Sequence, residues 1–154
     1  MSELRVAIVG SRRRASLKDR QIVFDLVDQL KLANPRRRLI LVSGACYLGA
    51  DDFAAQASRA LGIPIKEFPV PKANYPTTWD YAKAAYARNL LIAQDAMVGF
   101  ALVAPDRKGG TEDTVKHFVN LKKNIYLVDG RGVSYLLSMA ERNRYEISQD
   151  PDKT

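Results

Sequence analysis

The chain holds one cysteine, one histidine and one tryptophan in 154 residues. Cys46 alone cannot form an internal disulfide, which fits a reducing compartment and excludes a cysteine-based zinc cluster. Metal-ligand spacing is absent. A Ser-His-Asp arrangement would have to use His117, whose plainest reading is a surface residue on a helix. No apolar run approaches the roughly 18 residues needed to cross a bilayer. Val6-Ala7-Ile8-Val9 is too short for a secretory h-region and breaks at Gly10. The expectation is a cytoplasmic, soluble protein with no membrane partner. Two nucleotide signatures are also missing. Gly10-Ser11-Arg12 does not continue as G-x-G-x-x-G, and no G-x-x-x-x-G-K-[ST] occurs. This argues against a standard NAD dehydrogenase or P-loop NTPase. No metal and no resident cofactor are expected.

What is present is globular. Hydrophobic residues make up 47% of the chain, enough for one domain with its own core. The net charge is +7, and much of the excess lies in two triplets, Arg12-Arg13-Arg14 and Arg36-Arg37-Arg38. Their plainest reading is solvated surface; contact with phosphates or nucleic acid is the alternative.

Periodicity divides the chain into alternating elements. Leu4–Val9 is a β-branched apolar run and reads as a buried strand. Ser16 with Asp19 resembles a capping box, and Ile22, Leu26 and Leu30 mark a helix that stops before Pro35. Leu39–Val42 is a second strand. Ala50–Leu61 is an Ala-rich helix closed by Gly62 and Pro64, and 64–68 is a third strand. A proline-rich loop (69–76) leads to a helix over 79–94. Ala96–Val103 and Ile125–Val128 are the fourth and fifth strands, with a helix over 111–122 between them. A final helix is predicted over 133–141. One domain over 1–147 and a mobile tail over 148–154 complete the organisation.

Strands that are apolar throughout are expected when both sheet faces are covered. The predicted fold class is therefore α/β, a Rossmann-like, doubly wound sheet of about five parallel strands. Three strand ends carry small residues: Gly10-Ser11, Ser43-Gly44 and, after a short loop, Gly109-Gly110-Thr111. In an open parallel sheet they converge at the carboxyl edge, where ligands bind at the switch point. Gly110 and Thr111 at a helix start can offer amides to a phosphate, and Arg88 a charge-assisted contact. Asp51 can accept from a ribose hydroxyl, or simply complement its helix end. Tyr47 and Trp79 can stack on a base or serve as packing residues.

Taken together, residues 6–12 (VAIVGSR), 43–51 (SGACYLGAD), Trp79 with 81–85 (YAKAA) and Arg88-Asn89, and 109–114 (GGTEDT) resemble the SLOG superfamily. It includes DprA-like DNA-processing proteins and LOG-type cytokinin-activating phosphoribohydrolases. The likeness covers about residues 5–128 and is nearest to the small single-domain branch. It implies a sheet order of 3-2-1-4-5 and a possible homodimer. It also implies a ligand site of Gly10, Ser11, Arg12, Ser43, Gly44, Gly49, Asp51, Arg88, Asn89, Gly109, Gly110 and Thr111. Ala45-Cys46-Tyr47 makes the second ligand loop bulkier than the family pattern.

The LOG-type pattern P-G-G-x-G-T-x-x-E is shortened here, and Thr114 stands where its acid would be. A phosphoribohydrolase-like N-glycosidase would need Glu112 or Asp113 as a substitute catalytic acid. Beside a bound phosphate, those two carboxylates would be repulsive unless turned elsewhere. The leading expectation is therefore binding or sensing of a nucleotide or nucleotide-derived small molecule. N-glycosidase action on nucleoside monophosphates is the first alternative. DprA-like single-stranded nucleic-acid binding through the triplets is the second, although neither triplet has an interleaved aromatic residue.

Overall fold

The computed structural model describes residues 2–147. The chain runs β1 (Ser2–Gly10), α1 (Leu17–Ala33), β2 (Arg37–Ser43), α2 (Ala50–Leu61), β3 (Ile65–Glu67) and α3 (Thr78–Asp95). It continues as β4 (Val98–Leu102), α4 (Gly110–Asn120), β5 (Asn124–Val128), β6 (Ser134–Leu136) and α5 (Met139–Ile147). One six-stranded sheet has the order β3-β2-β1-β4-β5-β6. All pairings are parallel except β5–β6, which is antiparallel. The α/β, Rossmann-like class and the predicted order of its first five strands hold.

The alternation of β1 builds two cores. Val6 and Ile8 face α1 and α2, packing with Val23, Val27, Phe53 and Ala57. Ala7 and Val9 face the opposite side, packing with Ile92, Val115, Phe118 and Val119 from α3 and α4. Each face is covered by helices, which is why the strands are apolar on both sides. Gly99 makes room for this second core. A Cβ there would lie 2.6 Å from Ile125 Cδ1 and 2.8 Å from Phe118 Cζ. Fully burying a ring such as Phe118 contributes about 2–3 kcal/mol.

Helix starts follow local chemistry. Ser16 and Asp19 form the expected capping box on α1. Thr77 accepts from the Asp80 amide at the start of α3. Gly62 closes α2 in the left-handed conformation, φ 67°, where glycine has no steric penalty.

The predicted helix over 133–141 is a correction. Residues 134–136 form β6, and the helix begins only at Met139. Asp129 causes the reversal: its Oδ1 accepts from the amides of Arg131 (2.9 Å) and Val133 (3.0 Å). Gly132 takes φ 87°. The turned-back Val133–Leu136 run then pairs with β5 instead of coiling. Ser138 caps the delayed helix by accepting from the Glu141 amide at 3.2 Å. The tail expected over 148–154 lies outside the described residues.

Candidate functional site

Because β1 lies between β2 and β4, the chain winds in opposite directions from it, and a crevice opens at the carboxyl ends of the strands. A cleft of about 540 Å³ occupies that position. Among the expected ligand residues, Gly10, Ser11, Arg12, Gly44, Asp51, Arg88, Asn89, Gly109, Gly110 and Thr111 all line it. Ser43 and Gly49 do not line the cleft; they shape its walls. Ser43 is fully buried and its Oγ accepts from the Ala45 amide at 3.3 Å. Gly49 has φ 74°, and a Cβ there would lie 3.0 Å from the Ser11 carbonyl. Gly10 is equally constrained, with Ala50 Cβ and Leu102 Cβ within 2.9 Å of where its own Cβ would be. These contacts set how closely the first and second loops approach.

Asp51 is held in place by neighbours. Its Oδ2 accepts from the Cys46 amide at 3.1 Å. Burial pushes its carboxyl above the ordinary range, and the Cys46 amide, Arg88, the Gly44 amide and Ser43 oppose that shift. Arg88 is already engaged with the protein. It donates to the Gly44 carbonyl and, through Nε, to Asn89 Oδ1 at 3.0 Å. Asn89 in turn donates to the Gly110 carbonyl at 3.4 Å and to Asp113 Oδ2 at 3.2 Å. The Arg-Asn pair thus links the second loop to the first turn of α4.

The arginine triplet 12–14 divides three ways: Arg12 and Arg13 are exposed, as expected of surface residues, and Arg14 alone is buried. Arg12 lines the cleft, and the Cys46 sulfur and then the Tyr81 hydroxyl raise its pKa. Arg13 makes a two-pronged contact with Asp106, at 2.9 and 2.6 Å, and donates to the Lys108 carbonyl at 3.0 Å. Arg14 is 5% exposed. It pairs with Asp19 at 2.9 Å and donates to the carbonyls of Val103, Val128 and Asp129.

The two acids at the start of α4 do not line the cleft. Glu112 accepts from Arg107 at 2.7 and 3.0 Å and from Tyr145 Oη at 2.8 Å. Arg107 also lies 3.6 Å from Glu141. The Glu112 contact holds the Arg107 guanidinium above its ordinary value despite burial. Burial, followed by Glu112, pushes Tyr145 up to about 12. Asp113 lies 3.2 Å from His117 Nε2. Burial opposes charge on Asp113, but hydrogen bonds from His117 and Asn89 outweigh it and hold the carboxyl below its ordinary value. What the start of α4 presents to the cleft is therefore backbone and hydroxyl, from Gly109, Gly110, Thr111 and Thr114.

The opposite wall includes residues that the sequence reading missed. Thr78, Tyr81, Ala82, Ala85 and Ile92 of α3 line the cleft in register with the expected Asn89, with Tyr86 beside them. Their spacing of three and four residues is a helical stripe, a signal present in the sequence. Tyr47 and Trp79 are 76% and 63% exposed and do not line the cleft.

Among the described residues, no group of His, Cys, Asp or Glu is arranged to hold a metal ion. No described helix is long and apolar enough to cross a membrane.

No family model matches the chain, and no curated protein matches it. In fold it resembles the structure of the molybdenum cofactor binding protein from the phototrophic bacterium Rippkaea orientalis, with a TM-score of 0.58. The likeness covers 94% of this chain and 83% of that one at 15% identity. At that identity the similarity is one of fold.

Proposed function

We propose that this protein binds a nucleotide or nucleotide-derived small molecule in the cleft at the carboxyl edge of the sheet, as a SLOG-like domain. One observation carries the reading: both carboxylates at the start of α4 are paired outside the cleft, leaving amides and hydroxyls facing into it. A helix N-terminus without an opposing acid favours a bound anion. Arg12 and Lys108 add positive charge on the same side. Tyr81 and Tyr86, set among alanines, offer a flat surface for a heterocycle. An anionic group joined to a flat ring is the ligand class with both complements.

Holding the ligand is favoured over cutting it. Glu112 and Asp113 are each committed to protein partners, so neither is positioned as a free general acid. Nucleic-acid binding through both triplets is disfavoured by distance. Arg36–Arg38 sit at the amino edge of the sheet and Arg12–Arg14 at the carboxyl edge. β1 spans nine residues between those edges, roughly 30 Å at about 3.3 Å per residue.

The test is a panel of nucleoside mono- and diphosphates together with the molybdenum cofactor, read by thermal shift and by chromatography of the products. Stabilisation without turnover is expected. Free base or ribose 5-phosphate that disappears in Glu112→Gln or Asp113→Asn would replace binding with hydrolysis. No response to any member of the panel would sink the reading.

A further inference from the structure

One nearly buried hydroxyl at the cleft has no partner among the described residues. Thr114 is 2% exposed and lines the cleft. Among the described residues its Oγ1 makes no hydrogen bond, whereas the one fully enclosed side-chain N or O atom without a partner is Asp95 Oδ2, far from the cleft at the end of α3. The Thr114 hydroxyl therefore keeps its small accessible area towards the cleft. A helical threonine commonly turns its hydroxyl back to the carbonyl four residues earlier. Here that carbonyl belongs to Gly110 and receives Asn89 Nδ2 instead. A group that binds in the cleft and accepts its proton would meet a donor that the protein itself leaves unused.

Its direction fits such a contact. Thr114 lies one turn beyond Gly110 on the same helix face, and helical side chains lean towards the N-terminus. The hydroxyl thus overhangs the first turn of α4, where the exposed amides are. With Glu112 and Asp113 paired elsewhere, neither carboxylate of this helix start faces the corner, and Arg12 and Lys108 line the cleft on the same side.

We infer that Thr114 is a ligand-contact residue whose hydroxyl donates to a tetrahedral oxyanion, of phosphoryl or sulfonyl type, held at the start of α4. This rests on the reading of that helix start as the anionic end of the cleft. The amides and the overhanging hydroxyl present donors from different sides. A tetrahedral oxyanion has terminal oxygens in several directions and can meet both. A carboxylate has two oxygens in one plane and leaves a donor unmet.

Thr114→Val, which keeps the shape and removes the hydroxyl, and Thr114→Ser, which retains it, decide the matter. The probes are inorganic phosphate, adenosine 5′-monophosphate and acetate, titrated calorimetrically, with melting of the ligand-free proteins alongside. The ligand-free Val variant should melt close to the wild-type temperature, because the hydroxyl makes no bond within the protein. Its affinity for whichever phosphate probe the wild type takes up should fall about tenfold or more, as for a lost hydrogen bond to a charged group. The Ser variant should keep most of the affinity, and acetate should bind far more weakly than phosphate. The phosphate and nucleotide arms separate a free anion from a phosphate monoester as the source.

If the wild type binds a phosphate probe and Thr114→Val binds it equally well, this inference falls and the site reading stands. The same follows if acetate binds as well as phosphate, or if the ligand-free Val variant loses stability that Ser restores. If neither phosphate probe binds the wild type, this inference falls, and the site reading is decided separately by the wider panel above.

Discussion

Arg12-Arg13-Arg14 and Arg36-Arg37-Arg38 are the same tripeptide at opposite ends of one sheet. At the carboxyl edge each arginine has a separate task. Arg12 enters the cleft, Arg13 bridges to Asp106 in the loop after β4, and Arg14 passes under the edge to collect carbonyls from two strand ends. At the amino edge, Arg37 donates to the Glu3 carbonyl at 2.7 Å, while Arg36 and Arg38 are exposed. The difference lies in what surrounds each triplet. The carboxyl edge gathers unpaired strand-end carbonyls and loop acids, which are natural partners for guanidinium donors. A run of like charge is therefore a set of separate side chains, each with its own environment.

The comparison breaks most clearly at Arg14. Removing one partner of a buried ion pair costs about 3–5 kcal/mol. Arg14→Ala should lower unfolding stability on that scale in urea titration. An effect near that of an exposed position would contradict its role in joining the strand ends. Next comes the Arg107 group, which ties the loop after β4 to α5. Tyr145→Phe should cost about 1.5–3 kcal/mol, as for a hydrogen bond to a charged group. The same change should weaken nucleotide binding, because α4 begins beside that loop; intact affinity would uncouple α5 from the cleft.

A pH titration sharpens the comparison further. Asp113 has a folded pKa below its ordinary 3.8. The unfolded chain takes up that proton more readily, so this contribution is fully present above about pH 4. It is lost as pH falls through the folded value. The stability gap between wild type and Asp113→Asn should accordingly shrink in acid melts below about pH 4. A gap that does not change with pH would remove the ionised-carboxylate account. Smallest of all, Arg36→Ala and Arg38→Ala should each change stability by no more than about 0.5 kcal/mol. A larger loss would mean that the amino edge also has a structural role.

Much of this was legible in the chain because patterning and caps are local. Ser16 with Asp19 marked the start of α1, and Gly62 the end of α2. The apolar runs marked the parallel strands, and the small residues at their ends marked the cleft. The hairpin at Asp129–Gly132 was missed because Val133–Leu136 is apolar in a way that suits either a helix or a strand. Its Asp-Gly step, flanked by apolar runs, was nevertheless a readable turn signal. The contact of Tyr145 with Arg107 and Glu112 was not readable, because Arg107 and Tyr145 are 38 positions apart and meet only through tertiary packing. The burial of Arg14 was hidden for the same reason. Nothing in three consecutive arginines says which one meets the strand-end carbonyls.

The missed hairpin also bears on how this sheet behaves among copies of itself. An exposed outer strand is a template for intermolecular pairing, and short outer strands weaken it. Both borders of this sheet, β3 and β6, are only three residues long. The reversal at Asp129 places β6 over the side of β5, a five-residue apolar strand, that would otherwise lie open. Undoing the turn would uncover that strand, so the cost of losing β6 would fall on solubility as well as on folding.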